Sequence, residues 1–323
     1  MAKSKTLEAL TSQLNAIRDD PASEEGLATL QHIIRSKHSI VVAQAAKVVS
    51  QAELHTLTPE MVAAFHRFLV KPKDTDPGCR AKQAIADALY RFEHSDEAVF
   101  LAGIRHVQME PIWGGQVDTA PALRGTCALG LVRMHYRHVM VELADLLADS
   151  EQEARIGAAR AIAYSENSFG VALLRFRMKV GDVPPVLGEC LSALLKLDSS
   201  SALALADGFL TAGRKLSDSP QAIELAEVTA LTLGESRLPE ALPLLTEWWQ
   251  RTTHPELRKI GLLAIASLRQ DDALQFLLTL LSEAASKDAQ AALDALILYQ
   301  HDTFLWQQVE QILTTRTDVS LKS

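Results

Sequence analysis

Apolar residues recur at intervals of three and four along most of the chain, and this spacing predicts amphipathic helices. Five such runs have nearly the same length and lie at residues 61–70, 98–107, 138–147, 241–249 and 273–281. Short turns separate them from neighbouring Ala-rich helical runs. Thr58 and Pro59 precede the first run, where a hydroxyl can cap a helix and proline fits its first position. The pattern therefore predicts successive pairs of helices.

Several of the Ala-rich helices begin with the same spacing of charges, an aspartate followed six residues later by an arginine. The pairs are Asp74 with Arg80, Asp118 with Arg124, and Asp149 with Arg155. Arg258 lies in register without the acid, and the four arginines are separated by 44, 31 and 103 residues. Helix pairs that return with a period of about 34 residues indicate an α-solenoid.

The helix pairing and the Asp–Arg spacing together resemble the HEAT repeat family. This resemblance implies an all-α, right-handed α-solenoid of about eight HEAT-like helix pairs with terminal capping helices, and we expect no strands. The array would cover residues 21–300, with an N-terminal capping helix in residues 1–20 and a C-terminal capping helix and tail in residues 301–323. The resemblance defines an architecture only, because HEAT arrays serve many unrelated functions.

The composition agrees with a helical protein. Leucine occurs 49 times and alanine 46 times in 323 residues, while aromatic residues make up only 5%. No apolar stretch is long enough to cross a membrane, and the N-terminus lacks the apolar core of a secretory signal. The three cysteines are odd in number and far apart, which is typical of a reducing compartment. We therefore expect a cytoplasmic protein without a membrane partner.

The net charge of −8 is unevenly distributed. Residues 1–197 carry 22 basic and 23 acidic side chains, whereas residues 198–323 carry 10 and 17. Eight of the ten histidines also lie in the first part. Polar variety of this kind favours a recognition surface in the N-terminal half.

Sequence motifs for common chemistry are absent. The chain has no Gly-rich nucleotide-binding motif, no nucleophile elbow and no HExxH motif. His135 and His138 could share a helix face, but no cysteine or carboxylate stands beside them at zinc-motif spacing. We therefore predict no catalytic residue, no metal and no cofactor.

The Asp–Arg pairs have two interpretations. An arginine at the start of the second helix can bond the turn carboxylate of its own or an adjacent unit, which would form a structural ladder along the array. The same side chains could instead contact a ligand. We favour the structural role.

The segment 109–117 is an unusually long turn within one unit, and it contains a tryptophan. Pro111 stops the preceding helix, Gly114 and Gly115 permit positive φ, and Trp113 lies between them. A long loop with an aromatic residue on a rigid scaffold is a common recognition device. The alternative is that Trp113 fills the gap between two repeats.

Other polar residues lie at neighbouring helix ends, and in such arrays the second helices line the concave face. Ser36-Lys37-His38-Ser39 enters one second helix, and Cys79, Arg80 and Lys82 enter the next. A solvated rim would explain them equally. The binding surface that we predict from the sequence consists of Lys37, His38, Arg80, Lys82, His106, Glu110, Trp113 and Arg124.

These observations predict a non-enzymatic HEAT-repeat scaffold that binds a protein or peptide partner on its concave N-terminal half. The alternative is an enzyme on the same architecture, similar to the HEAT-like alkylpurine DNA glycosylases or the phycobilin lyase subunits.

A glycosylase would need Trp113 with Asp118 or Glu110 at the site, and a basic track for phosphates. The candidates for such a track are Arg80, Lys82, Arg124, Arg155 and Arg160. Nucleic acid is not the expected partner, because the ladder would neutralise several of these residues. No residue argues specifically for a tetrapyrrole, and the oligomeric state is left open.

Overall fold

The computed structural model describes residues 2–215, 219–316 and 318–320, with side chains described except in residues 2–6 and 212–215. Within these ranges the chain forms nineteen α-helices and one two-stranded hairpin. The predicted all-α class is confirmed. The expectation of no strands is wrong, because residues within the segment 109–117 pair as strands.

The chain divides into two compact units, residues 1–170 and 171–323. The helices of the first unit are α1 Ala2–Ala16, α2 Glu24–Ile34, α3 Ser39–Gln51, α4 Thr58–Leu69, α5 Pro72–Thr75, α6 Arg80–Arg91, α7 Glu97–Ile104, α8 Pro121–Arg133, α9 Val139–Leu147 and α10 Gln152–Ser165. The strands β1 Met109–Ile112 and β2 Gly115–Asp118 connect α7 to α8. Single 3-10 turns lie at His55–Leu57 and Pro77–Cys79.

The helix α11, Phe169–Val180, begins with the last residues of the first unit. The helices that follow in the second unit are α12 Pro184–Leu197, α13 Ser199–Lys215, α14 Pro220–Ser236, α15 Ala241–Arg251, α16 Pro255–Ser267, α17 Asp271–Glu283, α18 Ser286–Leu296 and α19 Thr303–Thr315. A 3-10 turn, Ile297–Tyr299, follows α18.

Between α1 and α19 the described helices follow one another as eight pairs, with α5 inserted into the second pair. In the first unit the second helices of the pairs, α3, α6, α8 and α10, pack side by side in that order. In the second unit α12, α14, α16 and α18 do the same. The predicted helix-pair architecture is thus confirmed. The assignment of 21–300 to one array between capping segments stays a prediction, and residues 321–323 of the predicted tail lie outside the described residues.

Small residues let the second helices approach closely. A Cβ atom added at Gly157 of α10 would lie only 2.7 Å from the Cα atom of Gly125 in α8. This crossing therefore requires glycine, and Ala128 of α8 and Ala158 and Ala161 of α10 are fully buried in the same unit. In the second unit Trp248 and Trp249 are buried, as their helical spacing predicts.

No helix in the described part of the chain combines the length and apolar character needed to span a membrane.

Candidate functional site

Two long connections within neighbouring helix pairs meet in the first unit. Residues 70–79 connect α4 to α6, and residues 105–120 connect α7 to α8 and include the hairpin. The Gly78 N–H donates to Glu110 Oε1 at 2.7 Å, and Gln108 Nε2 donates to the Asp76 carbonyl oxygen at 2.9 Å. The segment 109–117 is therefore not an isolated long turn, because two insertions form one bonded structure.

The hairpin holds Trp113 at its tip. The strands pair antiparallel in the register Met109 with Asp118, Glu110 with Val117, Pro111 with Gln116, and Ile112 with Gly115. Trp113 and Gly114 form the two-residue turn, and Gly114 has φ +88°, a value that favours glycine. At the base, the Thr119 N–H donates to the Gln108 carbonyl oxygen at 3.0 Å. The Trp113 side chain is fully exposed, with a relative accessibility of 103%.

Glu110 anchors the hairpin to the rest of the unit. Its Oε1 atom accepts hydrogen bonds from the Gly78 N–H, from Gln108 Nε2 at 2.6 Å and from Thr119 Oγ1 at 3.0 Å. Partial burial raises the pKa of Glu110, but these hydrogen bonds and the positive charge of Lys82 outweigh it and leave the pKa below its ordinary value. The carboxylate is therefore ionised, and its Oε1 atom holds the two connections together.

Arg124 connects two consecutive helix pairs. Its side chain is 2% exposed, and its Nη1 atom lies 2.7 Å from Asp118 Oδ2 and 2.9 Å from the His106 carbonyl oxygen. Its Nη2 atom donates to Asp149 Oδ1 of the next pair at 3.1 Å. Arg124 thus bonds the turn carboxylate of its own unit and that of the adjacent unit, as a structural ladder requires.

Asp118 is held by the same network. Burial raises the pKa of Asp118, whereas hydrogen bonds from the Gln108 and Ala120 N–H groups and from Arg124 lower it, and the net effect is a lowered pKa. At the third predicted pair, Arg155 Nη1 donates at 2.8 Å to the carbonyl oxygens of Asp149 and Ser150. The contact found there joins the arginine to the backbone of the turn.

The first predicted pair is displaced by two residues. Asp74 and Arg80 are both exposed, and the buried pair is Asp76 with Lys82, whose Oδ2 and Nζ atoms lie 2.9 Å apart. Both of these side chains are 0% exposed. Asp76 also accepts from the Ala81 and Lys82 N–H groups at 2.9 and 3.1 Å, so it caps α6. The assignment to Asp74 and Arg80 is wrong.

A left-handed turn explains this displacement. Gly78 and Cys79, directly before α6, have φ values of +72° and +56°. The two left-handed residues turn the chain back, so that Asp76 lies beneath the first turn of the helix. Burial raises the pKa of the Cys79 thiol to about 12, which keeps it protonated and unreactive.

The eight residues predicted as a binding surface divide by exposure. Lys82 and Arg124 are buried in ion pairs, so their placement on a binding surface is corrected. His38, His106 and Glu110 are half-buried, while Lys37, Arg80 and Trp113 are exposed. Lys37 and His38 line a cleft of 290 Å³, and Arg80 lines a different one.

Asp76, Gln108 and Thr119 complete the site and were missed. Only Asp76 had a sequence signal, its six-residue spacing from Lys82.

The basic track that was predicted for nucleic acid is mostly buried. Of the five predicted members, Lys82, Arg124 and Arg155 are buried, and only Arg80 and Arg160 are exposed.

His106 is expected to titrate below the ordinary histidine value of about 6.5. Burial lowers its pKa, and this effect outweighs the hydrogen bond between its Nε2 atom and Gln108 Oε1 at 3.0 Å. The unfolded chain therefore binds this proton at a higher pH than the folded chain does. Stability from this group is complete above the unfolded pKa and is lost as the pH falls toward the folded pKa. Titration of the ring by NMR, with the urea-unfolded chain as reference, measures the shift. A midpoint at or above the unfolded value would contradict it.

Stacked helix pairs with ionic contacts between consecutive turns define a helical repeat protein. Residues 214–297 match the family model described as HEAT repeats, so the chain contains HEAT repeats and the resemblance seen in the sequence is confirmed. No curated protein matches the chain. Among solved structures, it is similar to human deoxyhypusine hydroxylase in complex with glycerol, with 12% identity and a TM-score of 0.31 over 81% of this chain and 89% of that one. A similarity at this level carries no argument about function.

Proposed function

We propose that the protein is a non-enzymatic HEAT-repeat scaffold that binds a protein or peptide partner through its first unit, with Trp113 as the central contact. The observation that carries this proposal is the complete exposure of the Trp113 ring at the tip of a bonded hairpin. Tryptophan is among the residues that most often dominate binding energy at protein interfaces. A gap-filling role for Trp113 is excluded, since a fully exposed ring fills no gap.

The surroundings of Trp113 support a protein partner. Ile112 and Val117 are 55% and 39% exposed, so the tip presents an apolar surface. The bonds of Glu110 and Thr119 at the base fix the hairpin before a partner arrives, which lowers the entropic cost of binding. We place this interaction in the cytoplasm, an assignment supported by the three cysteines, all of which are buried thiols.

The enzyme alternatives receive less support. A glycosylase site would use Asp118 or Glu110, but Asp118 is buried against Arg124 and Glu110 is engaged by three donors. Asp118 and the Oε1 atom of Glu110 thus already hold the hairpin, and this structural use is an argument against a catalytic one.

Trp113→Ala is expected to fold normally and to lose its partner. Because the ring touches nothing that stabilises the fold, the melting temperature should stay unchanged, while partner affinity should fall by about 2 kcal/mol or more. Affinity purification of tagged wild-type and variant chains from their own cells, with quantitative identification of bound proteins, measures the loss. Phe304→Ala, which removes a 76% exposed aromatic ring from α19, serves as the matched control. An unchanged set of partners in a stable Trp113→Ala protein would place the site elsewhere.

A further inference from the structure

A cleft lies beside the base of the hairpin. It has a volume of 400 Å³ and is lined by residues of α3, α6 and the start of α8, together with Gly78 and Thr119. Gly78 and Thr119 both donate to Glu110 of β1, so the cleft and the hairpin form one continuous surface of the first unit.

Two cations of this cleft have no acidic partner. Lys47 on α3 and Arg80 at the start of α6 are both exposed and line the cleft. In the described part of the chain, neither forms an ion pair. The carboxylate on this wall belongs to Asp87, whose Oδ1 atom accepts from Gln83 Nε2 at 2.9 Å and from Thr126 Oγ1 at 2.9 Å. The cleft thus carries two cations and one carboxylate, which leaves a net charge of +1.

Gln83 also presents a buried acceptor without a donor. Its Nε2 atom faces the carboxylate of Asp87 and the hydroxyl of Thr126, and only an N–H group can bond a carboxylate there. This fixes the orientation of the amide. The Oε1 atom is left buried and without a hydrogen-bond partner in a residue that lines the cleft. A buried unsatisfied acceptor is costly, and a donor from a bound molecule would satisfy it.

We propose that the partner contributes an acidic peptide segment, whose Asp or Glu carboxylate binds Lys47 and Arg80 while a backbone N–H of the segment donates to Gln83 Oε1. This proposal rests on the proposed function and specifies the chemistry of the partner. Carboxylate and cation complement each other in charge, and arginine binds carboxylates with two parallel hydrogen bonds. A cleft of 400 Å³ accommodates only a few side chains, whereas a stable interface between two copies buries roughly 1,200 Å² in total. The cleft therefore suits a short peptide segment better than a second copy of the chain.

A random peptide library displayed on phage and selected on the full-length chain provides the probe. Selected peptides should be enriched in Asp and Glu. A synthetic peptide from the selection should bind Arg80→Glu at least about tenfold more weakly than the wild type, because attraction becomes repulsion. Arg91→Glu makes the same change of charge at the far end of α6, outside the cleft, and should alter the affinity by no more than about twofold. Replacing the acidic residues of the peptide by their amides should weaken binding to the wild type.

Other outcomes would overturn the proposal. Selected peptides without acidic residues, an empty selection, or equal effects of Arg80→Glu and Arg91→Glu would each contradict it. Duplex DNA that binds the wild type and not Arg80→Glu would indicate nucleic acid instead. A dimer in light scattering that Arg80→Glu dissociates would indicate a second copy of the chain. Binding that Trp113→Ala abolishes and Arg80→Glu preserves would leave the scaffold function intact and reject only the cleft.

Discussion

Asp76→Ala is expected to lower the free energy of unfolding by about 3–5 kcal/mol, because it leaves the ammonium of Lys82 buried without its counter-ion. Both side chains are 0% exposed, and among the described residues the other hydrogen-bond partner of Lys82 Nζ is the Phe68 carbonyl oxygen at 3.4 Å. The substitution also removes the cap of α6, since Asp76 accepts two N–H groups of its first turn. Urea denaturation followed by circular dichroism measures the loss.

Asp74→Ala is the matched control for this prediction. Asp74 lies two residues away and is exposed, so its replacement should change stability by less than about 0.5 kcal/mol. Equal effects of the two substitutions would contradict the assignment of the pair to Asp76 and Lys82. A larger effect of Asp74→Ala would restore the pairing expected from the sequence.

Arg124→Met should destabilise the first unit to a similar extent, about 3–5 kcal/mol. Methionine retains an apolar stem but leaves the carboxylates of Asp118 and Asp149 without their shared cation. Asp149→Ala removes only one of the two carboxylates that bond Arg124 and should cost less, on the order of 1.5–3 kcal/mol. Arg137→Met, at an exposed position, is the control. Thermal unfolding that is the same for Arg124→Met and Arg137→Met would reject the structural role of the ladder.

The helix pairs could be predicted because the fold repeats a local rule. Apolar residues at intervals of three and four define each helix, and capping residues define its ends, so neither depends on distant parts of the chain. Ser23, Asp96 and Ser219 accept hydrogen bonds from the first turns of α2, α7 and α14, as such residues usually do. Sequence periodicity reports these interactions directly.

The register of the ladder could not be predicted in the same way. Asp74 with Arg80 and Asp76 with Lys82 have the same spacing, and the choice between them depends on the left-handed backbone at Gly78 and Cys79. Glycine permits that conformation, but a cysteine there gives no sequence signal. The sequence also contains no indication that Lys82 is buried, because a lysine at the start of a helix is ordinarily exposed.

The hairpin was missed because Pro111 argues against a strand. Thr119 N–H bonds the Gln108 carbonyl oxygen, so in an alternating antiparallel ladder the backbone groups of Pro111 and Gln116 point away from each other's strand. Proline is tolerated there because the missing N–H would not have bonded β2. The sequence indicated an aromatic loop on a scaffold. The hairpin structure of that loop depends on the contacts that Glu110 and Gln108 make with the connection 70–79, and the sequence does not report these contacts.

The bridge from Asp118 through Arg124 to Asp149 also determines how the repeats of the first unit unfold. In repeat arrays, stability is approximately the sum of intrinsic repeat terms and terms for each interface between neighbours. An ion pair shared between consecutive repeats belongs to the interface term, which sets cooperativity. Arg258 and Asp288 of the second unit, 2.8 Å apart, form the same kind of link between consecutive helix pairs. Unfolding of a single terminal repeat is therefore disfavoured, because it leaves a charge on the neighbouring repeat unpaired. We expect the hairpin, which belongs to an internal repeat of the first unit, to keep its shape until the repeats linked by these ion pairs unfold together.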